Sequence, residues 1–209
     1  MIFFSDINFY SLTVIILSSY LIGSIAFGIV VAKLMNLGNL RQLGSGNIGA
    51  TNVLRTGSKI AAALTLILDG GKGYAVVNGT IFFLGNSYVP FTAMAVFLGH
   101  IFPIYYKFKG GKGVATFIGI ILAISPFQGI LVCIAWLSIA AITKKSSVAA
   151  LGSSITAPVV FFYNKFDENV FFVSILTLLI WWLHKENIKR LILKTEPSIN
   201  LMNKKRKDL

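Results

Sequence analysis

The stretch VATFIGIILAISPFQGILVCIAWLSIAAI, residues 114–142, decides the fold. As one helix it would cross a bilayer once, because a span needs about 20 apolar residues. As two helices it would cross twice, and every later segment would change sides. Pro126 and Gly129 interrupt the run near its middle. Lys107, Lys109 and Lys112 precede it, and Lys144 and Lys145 follow it. A basic excess marks the cytoplasmic side of a membrane, so both flanks belong on the same face. The sequence therefore predicts two short helices, 114–124 and 127–142. Short helices of this kind must be buried locally against protein.

The rest of the chain supports a membrane reading. It has 209 residues, of which 56% are hydrophobic and only 12% charged. Soluble domains carry about 25% charged residues. The length suits a single domain over residues 1–209. The first apolar run, 10–32, has no basic segment before it and reads as a retained helix rather than a cleaved leader. The single cysteine, Cys133, excludes a disulfide framework or a cysteine metal site within one chain. The net charge of +12 is concentrated in residues 33–59, 107–112, 144–145 and 185–207. The intervening turns, 85–88, 125–128 and 164–169, are poor in basic residues. Alternating these blocks across the membrane predicts an all-α integral membrane protein. Its seven transmembrane helices are 10–32, 59–84, 88–106, 114–124, 127–142, 147–163 and 169–183. The N-terminus is expected outside and the C-terminus in the cytoplasm. The basic tail at 204–207 reads as a lipid-facing, solvated segment, not a nucleic-acid site.

The predicted cytoplasmic face collects three polar segments. The first, LGSGNIGATNVLRTG (43–57), contains Gly44, Gly46 and Gly49, which permit turns with positive φ. Free amides in such turns form an anion nest, and a helix starting near Ala50 would add to it. Ser45, Asn47, Thr51 and Asn52 offer neutral donors, and Arg55 a fork for phosphate. A plain helix-capping turn remains the bland alternative.

The second segment, GHIFPIYYKFKGGKGVAT (99–116), carries Gly110, Gly111, Lys112 and Gly113. These glycines would admit an oxyanion close to the backbone. The spacing is not that of a nucleotide-binding P-loop, because Gly113 stands where a Ser or Thr would follow the lysine. His100 reads as a buried, hydrogen-bonding histidine. In the third segment, LHKENIKRLILKTEPSI (183–199), His184, Asn187, Ile188 and Leu191 share one helical face. An amphipathic helix lying on headgroups is an equal alternative there. A near twin of the second loop, LDGGKGYAV (68–76), falls inside the second span. Its Asp69 and Lys72 could pair, and its glycines could serve close helix packing.

Together the segments resemble the bacterial membrane glycerol-3-phosphate acyltransferases that use acyl phosphate as donor (the PlsY family). GSGNIGATNVLR, GHIFPIYYKFKGGKGVAT and HKENIKRL followed by Glu196 look like the family's three motifs in order, over nearly the whole chain. Lys194 departs from the pattern, which usually has glycine there. The resemblance implies transfer of a fatty acyl group from acyl phosphate to the sn-1 hydroxyl of glycerol 3-phosphate. The products would be lysophosphatidic acid and phosphate, in phospholipid biosynthesis at the bacterial inner membrane.

The resemblance places Ser45 and its neighbours on the donor phosphate. It places Arg55, Lys112, His184 and Asn187 around glycerol phosphate, with Ser147 as a further polar contributor and Glu196 as structural. No cofactor or metal is implied; the partners are the two substrates and membrane lipids. The residues leave His184 open between a general base and an orienting hydrogen-bond donor. Donation is the expectation, since Glu186 points to another helical face and no acid orients the ring. A transporter of phosphorylated solutes is the competing class, although no inverted repeat accompanies the GGKG doublet.

Overall fold

The structure is a computed structural model that describes residues 7–164 and 167–199, with the side chains of residues 167 and 168 outside the description. Both ends used in the predicted topology, and the basic tail at 204–207, lie outside the described residues. The helices are α1 (Phe9–Gly23), α2 (Phe27–Leu34), α3 (Ala50–Leu54), α4 (Lys59–Leu84) and α5 (Val89–Ile101). They are followed by α6 (Val114–Ile124), α7 (Pro126–Thr143), α8 (Ser146–Tyr163), α9 (Asp167–Leu183) and α10 (Lys185–Ile192).

Among the described residues, five segments are long and apolar enough to cross a membrane: Phe9–Leu34, Lys59–Leu84, Asn86–Tyr106, Pro126–Thr143 and Ser146–Tyr163. Val114–Ile124 and Asn169–Leu183 are apolar but shorter. The 114–142 stretch does break into two helices. Ser125 is extended (φ −153°, ψ 109°) and Pro126 opens α7, where its missing N–H is harmless. A Cβ on Gly129 would lie 2.7 Å from the Leu122 Cα, so this glycine lets α7 pass close to α6. At 11 residues, α6 is only about 16 Å long, roughly half the hydrocarbon thickness. It packs chiefly against α4 and also against α7.

The first span differs from the single helix predicted over 10–32. It breaks at Ser24–Ala26 into α1 and α2. The break is possible because Lys72 reaches into it from α4. Its ammonium donates to the carbonyls of Gly23 (2.8 Å) and Ile25 (2.6 Å), which would otherwise be unsatisfied in an apolar setting. Small residues bring the other helices together. Gly23 and Gly99 let α1 and α5 approach backbone to backbone, and Gly70, Gly73 and Gly119 do the same for α4 and α6. The core between them holds Phe97, Phe117, Ile120, Ile121, Phe161, Leu176 and Ile180, all fully buried. Phe82, Phe83, Ile142 and Phe162 face outward, as lipid-facing residues of a membrane bundle do.

Candidate active site

The first polar segment is organised by one side chain, Asn52, which is buried in α3. Its Nδ2 donates to the Leu40 carbonyl (2.8 Å), which fixes the amide's orientation. Its Oδ1 then accepts from the Ser45 amide (3.2 Å) and from Arg55 Nη1 (3.0 Å). Gly44 adopts φ +51°, and a Cβ there would lie 2.6 Å from the Arg55 Cδ, so the glycine makes room for the arginine stem. The Gly46 amide donates to Leu43 (2.8 Å) and the Ile48 amide to the Asn47 side chain (3.0 Å). The expected amide nest is narrowed: the amides of Ser45, Gly46 and Ile48 are already used within the loop. The Ser45 and Thr51 hydroxyls and the Asn47 Nδ2 donate to no protein group among the described residues and remain available to a ligand. Gly49 caps α3 in an extended conformation.

The glycine loop is also corrected. The Gly110 amide donates to Ile101 (3.1 Å) and the Gly111 amide to His100 (3.2 Å). A Cβ at Gly110 would strike the α5 carbonyls, one at Gly111 the His100 ring, and one at Gly113 the Phe97 ring. Gly113 also needs its positive φ of +77° to start α6. These glycines seat the loop against α5, with the amides of Gly110 and Gly111 turned to protein. Lys112 is the member of the loop that faces the site. Its Nζ donates to Asn187 Oδ1. The first-turn amides of α6 begin directly after it, unpaired as at any helix start.

The third segment completes a chain of contacts. Asn187 is buried and its Nδ2 donates to Glu196 Oε1 (2.7 Å). Arg190 Nε donates to Glu196 Oε2 (2.7 Å). Glu196 reaches back because Lys194 takes a left-handed conformation (φ +58°), and the amides of Thr195 and Glu196 both fold onto the Arg190 carbonyl. Such a position suits glycine, the residue that the resemblance led us to expect there. Ser147, at the start of α8, is buried, and its hydroxyl stands near Glu196 without an aligned hydrogen bond. Burial tends to raise the Glu196 carboxyl, but Asn187, Arg190 and Ser147 outweigh it and hold it below its ordinary range.

His184 lies at the junction of α9 and α10, 3% exposed. Its Nδ1 is 2.8 Å from the Ile180 carbonyl. A carbonyl only accepts, so Nδ1 carries the proton and Nε2 presents a lone pair. Burial, followed by the charge of Lys112, lowers its pKa to about 4, so the ring is neutral near pH 7. In this tautomer the ring offers an acceptor at Nε2, not the donor expected from the sequence. Lys112 is lowered to about 8, first by burial, then by the cations of Arg190 and Arg55, against the pull of Glu196. Burial also lowers Arg55. Arg55, Lys112, Ser147, His184, Asn187, Arg190 and Glu196 thus form one cluster, with Ser45 tied to it through Asn52. Arg190 is not among the candidates drawn from the sequence. Its spacing of three from Asn187 was the available signal.

Beside the first segment a groove of about 530 Å³ opens between α2 and the loop before α3. Ile29, Ala32 and Ile48 give it an apolar wall, and Lys33 and Arg41 a basic rim.

The family model for glycerol-3-phosphate acyltransferase matches residues 13–194. A glycerol-3-phosphate acyltransferase of Roseobacter denitrificans is 49% identical over 180 residues, covering 86% of this chain and 90% of the relative. One from Dinoroseobacter shibae is 50% identical over 184 residues, covering 88% and 90%. Among solved structures, the chain resembles PlsY, an integral membrane glycerol 3-phosphate acyltransferase, in its glycerol 3-phosphate form. The TM-score is 0.86 and the identity 36%, over 90% of this chain and 95% of that one. The lysophosphatidic acid form of PlsY aligns with a TM-score of 0.83 and 34% identity.

Proposed function

The chain belongs to the glycerol-3-phosphate acyltransferase family, and from that premise we propose that it moves a fatty acyl group from acyl phosphate to the sn-1 hydroxyl of glycerol 3-phosphate. Residues 1–209 act as one transmembrane acyltransferase domain of seven spans, with the N-terminus outside. The site opens to the cytoplasm of a bacterial inner membrane. The observation that carries the reading is the cluster of Arg55, Lys112 and Arg190 around the Asn187–Glu196 pair. Three cations and one carboxylate leave an excess of positive charge suited to a phosphate dianion.

The donor phosphate sits against Ser45, Asn47 and Thr51, and the groove beside α2 gives its acyl chain a way in from the bilayer. Glycerol 3-phosphate lies against Arg55 and Lys112, with Asn187 and Ser147 near its hydroxyls. The sn-1 hydroxyl oxygen attacks the acyl carbonyl carbon and forms the ester bond. The bond from that carbon to the phosphate oxygen breaks, and phosphate leaves with the electron pair. His184 Nε2 accepts the hydrogen bond of the attacking hydroxyl and so aims its oxygen. With a pKa of about 4 the ring is a weak base, and the proton ends on the departing phosphate. Because acyl phosphate is already activated, positioning and charge stabilisation carry the rate.

The purified protein, given acyl phosphate and glycerol 3-phosphate together, is expected to release phosphate and form lysophosphatidic acid. Release that ignores glycerol 3-phosphate would overturn the proposal. The competing transporter reading rests on the basic loops and the Asp69–Lys72 pair, and the lysine of that pair is occupied by the carbonyls of the broken first span.

A further inference from the structure

Asp69, Lys72 and His100 are 2%, 5% and 4% exposed, respectively, in the middle of the helix bundle. No role in the transfer step calls on them. Charged groups at such depth need a specific reason. Close helix packing does not supply one, because Gly70, Gly73 and Gly119 already provide it. A buried ion pair is often no better for stability than apolar side chains of the same size.

The contacts of the three residues run in two directions. Lys72 forms an ion pair with Asp69 Oδ1 at 3.0 Å, donates to the carbonyls of Gly23 and Ile25, and lies 5.7 Å from the Phe27 ring centroid. It therefore anchors the start of α2. One turn on, Gly28 lies so close to the Ile48 carbonyl that no Cβ would fit, and Ile48 belongs to the first polar segment. In the other direction, Asp69 Oδ1 lies 3.6 Å from His100 Nδ1. The His100 carbonyl accepts the Gly111 amide, and its ring fills the space that a Cβ on Gly111 would need. The Asp69 carbonyl accepts the Thr116 hydroxyl at 2.9 Å. Lys112 is thus bracketed, at residues 111 and 116, by the same cluster that anchors α2.

We infer that Asp69, Lys72 and His100 form a buried junction that sets the spacing between the Ser45–Arg55 segment and the Lys112 loop. They act as positioning residues for acyl transfer. The inference rests on the proposed reading that these two segments hold the two phosphates. Its chemistry is simple: one ammonium ties down the backbone beneath one segment, and one carboxylate paired with it holds the histidine beneath the other. Neither contact reaches a substrate.

The test uses the full-length enzyme with Cys133→Ala and spin labels at the exposed positions Gln42 and Lys109. Lys72→Met is expected to lower kcat/KM by about 10²-fold per folded molecule, the loss associated with misplacement of about 1 Å. The KM for glycerol 3-phosphate should rise and the label-to-label distance distribution should broaden. Lys72→Arg, which keeps donors for the carbonyls, should recover most of the loss. If Lys72→Met does not fold, His100→Gln carries the test, because it leaves the Asp69–Lys72 pair in place. It should raise KM about tenfold and broaden the distances. Folded variants with wild-type KM, kcat and distances would overturn the junction. Lys112→Met separates the two ideas. If it raises KM while Lys72→Met and His100→Gln do not, the junction alone fails. If it leaves KM unchanged, the reading of the Lys112 loop as a phosphate site fails, and the distance measurement still tests the junction.

Discussion

LDGGKGYAV (68–76) and FKGGKGVAT (108–116) share GGKG and meet opposite fates. The first lies within α4 and is helical throughout. The second is a loop up to Gly113, and its last three residues open α6. Lys72 spends its charge on two backbone carbonyls and Asp69, inside the bundle. Lys112 presents its charge to Asn187 at the mouth of the site. The glycines divide in the same way. Gly70 and Gly73 let α4 lie on α6, whereas Gly110, Gly111 and Gly113 let a loop lie on α5. In the second copy the amides of Gly110 and Gly111 are turned to α5. Four identical residues acquire their roles from what their flanks do: Leu68 and Tyr74 continue a helix, while Pro103 and the left-handed residues Lys107 and Phe108 end one.

The largest expected effect separates the lysines by substrate. Lys112→Met should cut kcat/KM about 10²–10³-fold, as loss of a preorganised charge donor does. The protein should stay folded, because Lys112 supports no helix break. An initial-rate titration of glycerol 3-phosphate checks this, and an unchanged kcat/KM would erase the distinction between the two copies.

His184 stands beside Lys112 in the site, whereas the histidine near Lys72, His100, faces Asp69 inside the bundle. His184→Gln keeps an acceptor oxygen and should retain turnover within about tenfold, whereas loss of a true general base costs about 10²–10⁴-fold. A loss in that higher range, with both substrates still bound, would make the ring the base.

Lys112 should also be visible in the pH profile. Its pKa of about 8 means the cation is present below that pH and is lost as pH rises through it. Plotted as kcat/KM for the free enzyme, activity should fall about tenfold per unit above pH 8. Lys112→Arg should remove that limb, because a guanidinium stays charged. Persistence of the limb in the arginine variant would assign it to another group.

The matched glycines give the smallest and cleanest contrast. Gly111→Ala drives a methyl into the His100 ring and should destabilise by about 1–3 kcal/mol. Gly71→Ala, the same residue of the other copy, meets nothing within 4 Å and should stabilise α4 by about 1 kcal/mol. Thermal unfolding in detergent measures both, and equal shifts would break the comparison. Lys194→Gly should add about 1 kcal/mol by relieving a left-handed backbone.

Much of the fold was readable from composition and charge. Pro126, with basic residues on both flanks, split 114–142 into two helices, and the split is present at Ser125. The break in the first span was not readable. Residues 10–32 are apolar throughout, and the group that makes a break tolerable, Lys72, lies 47 residues beyond Ile25. In the site, residue type and spacing made Arg55, Lys112, His184 and Asn187 candidates, and it was the family resemblance that implied a common place for them around glycerol phosphate. Arg190 was missed because a cation on an amphipathic helix reads equally well as a lipid contact.

What the sequence determined by itself is the membrane class, the helical segments after the first, and the three polar segments with their chemistry. Each of these follows from local properties: apolar length, charge placement, and donors close together in the chain. What only the tertiary structure decided is which donors remain free. The amides of Ser45, Gly46, Gly110 and Gly111 looked available to phosphate and are bonded to protein. The His184 ring looked like a donor and is fixed as an acceptor by the Ile180 carbonyl. A hydrogen-bonding group advertises its capacity in the sequence, but its partner is chosen by packing, and a donor already engaged in the fold has nothing left to offer a substrate.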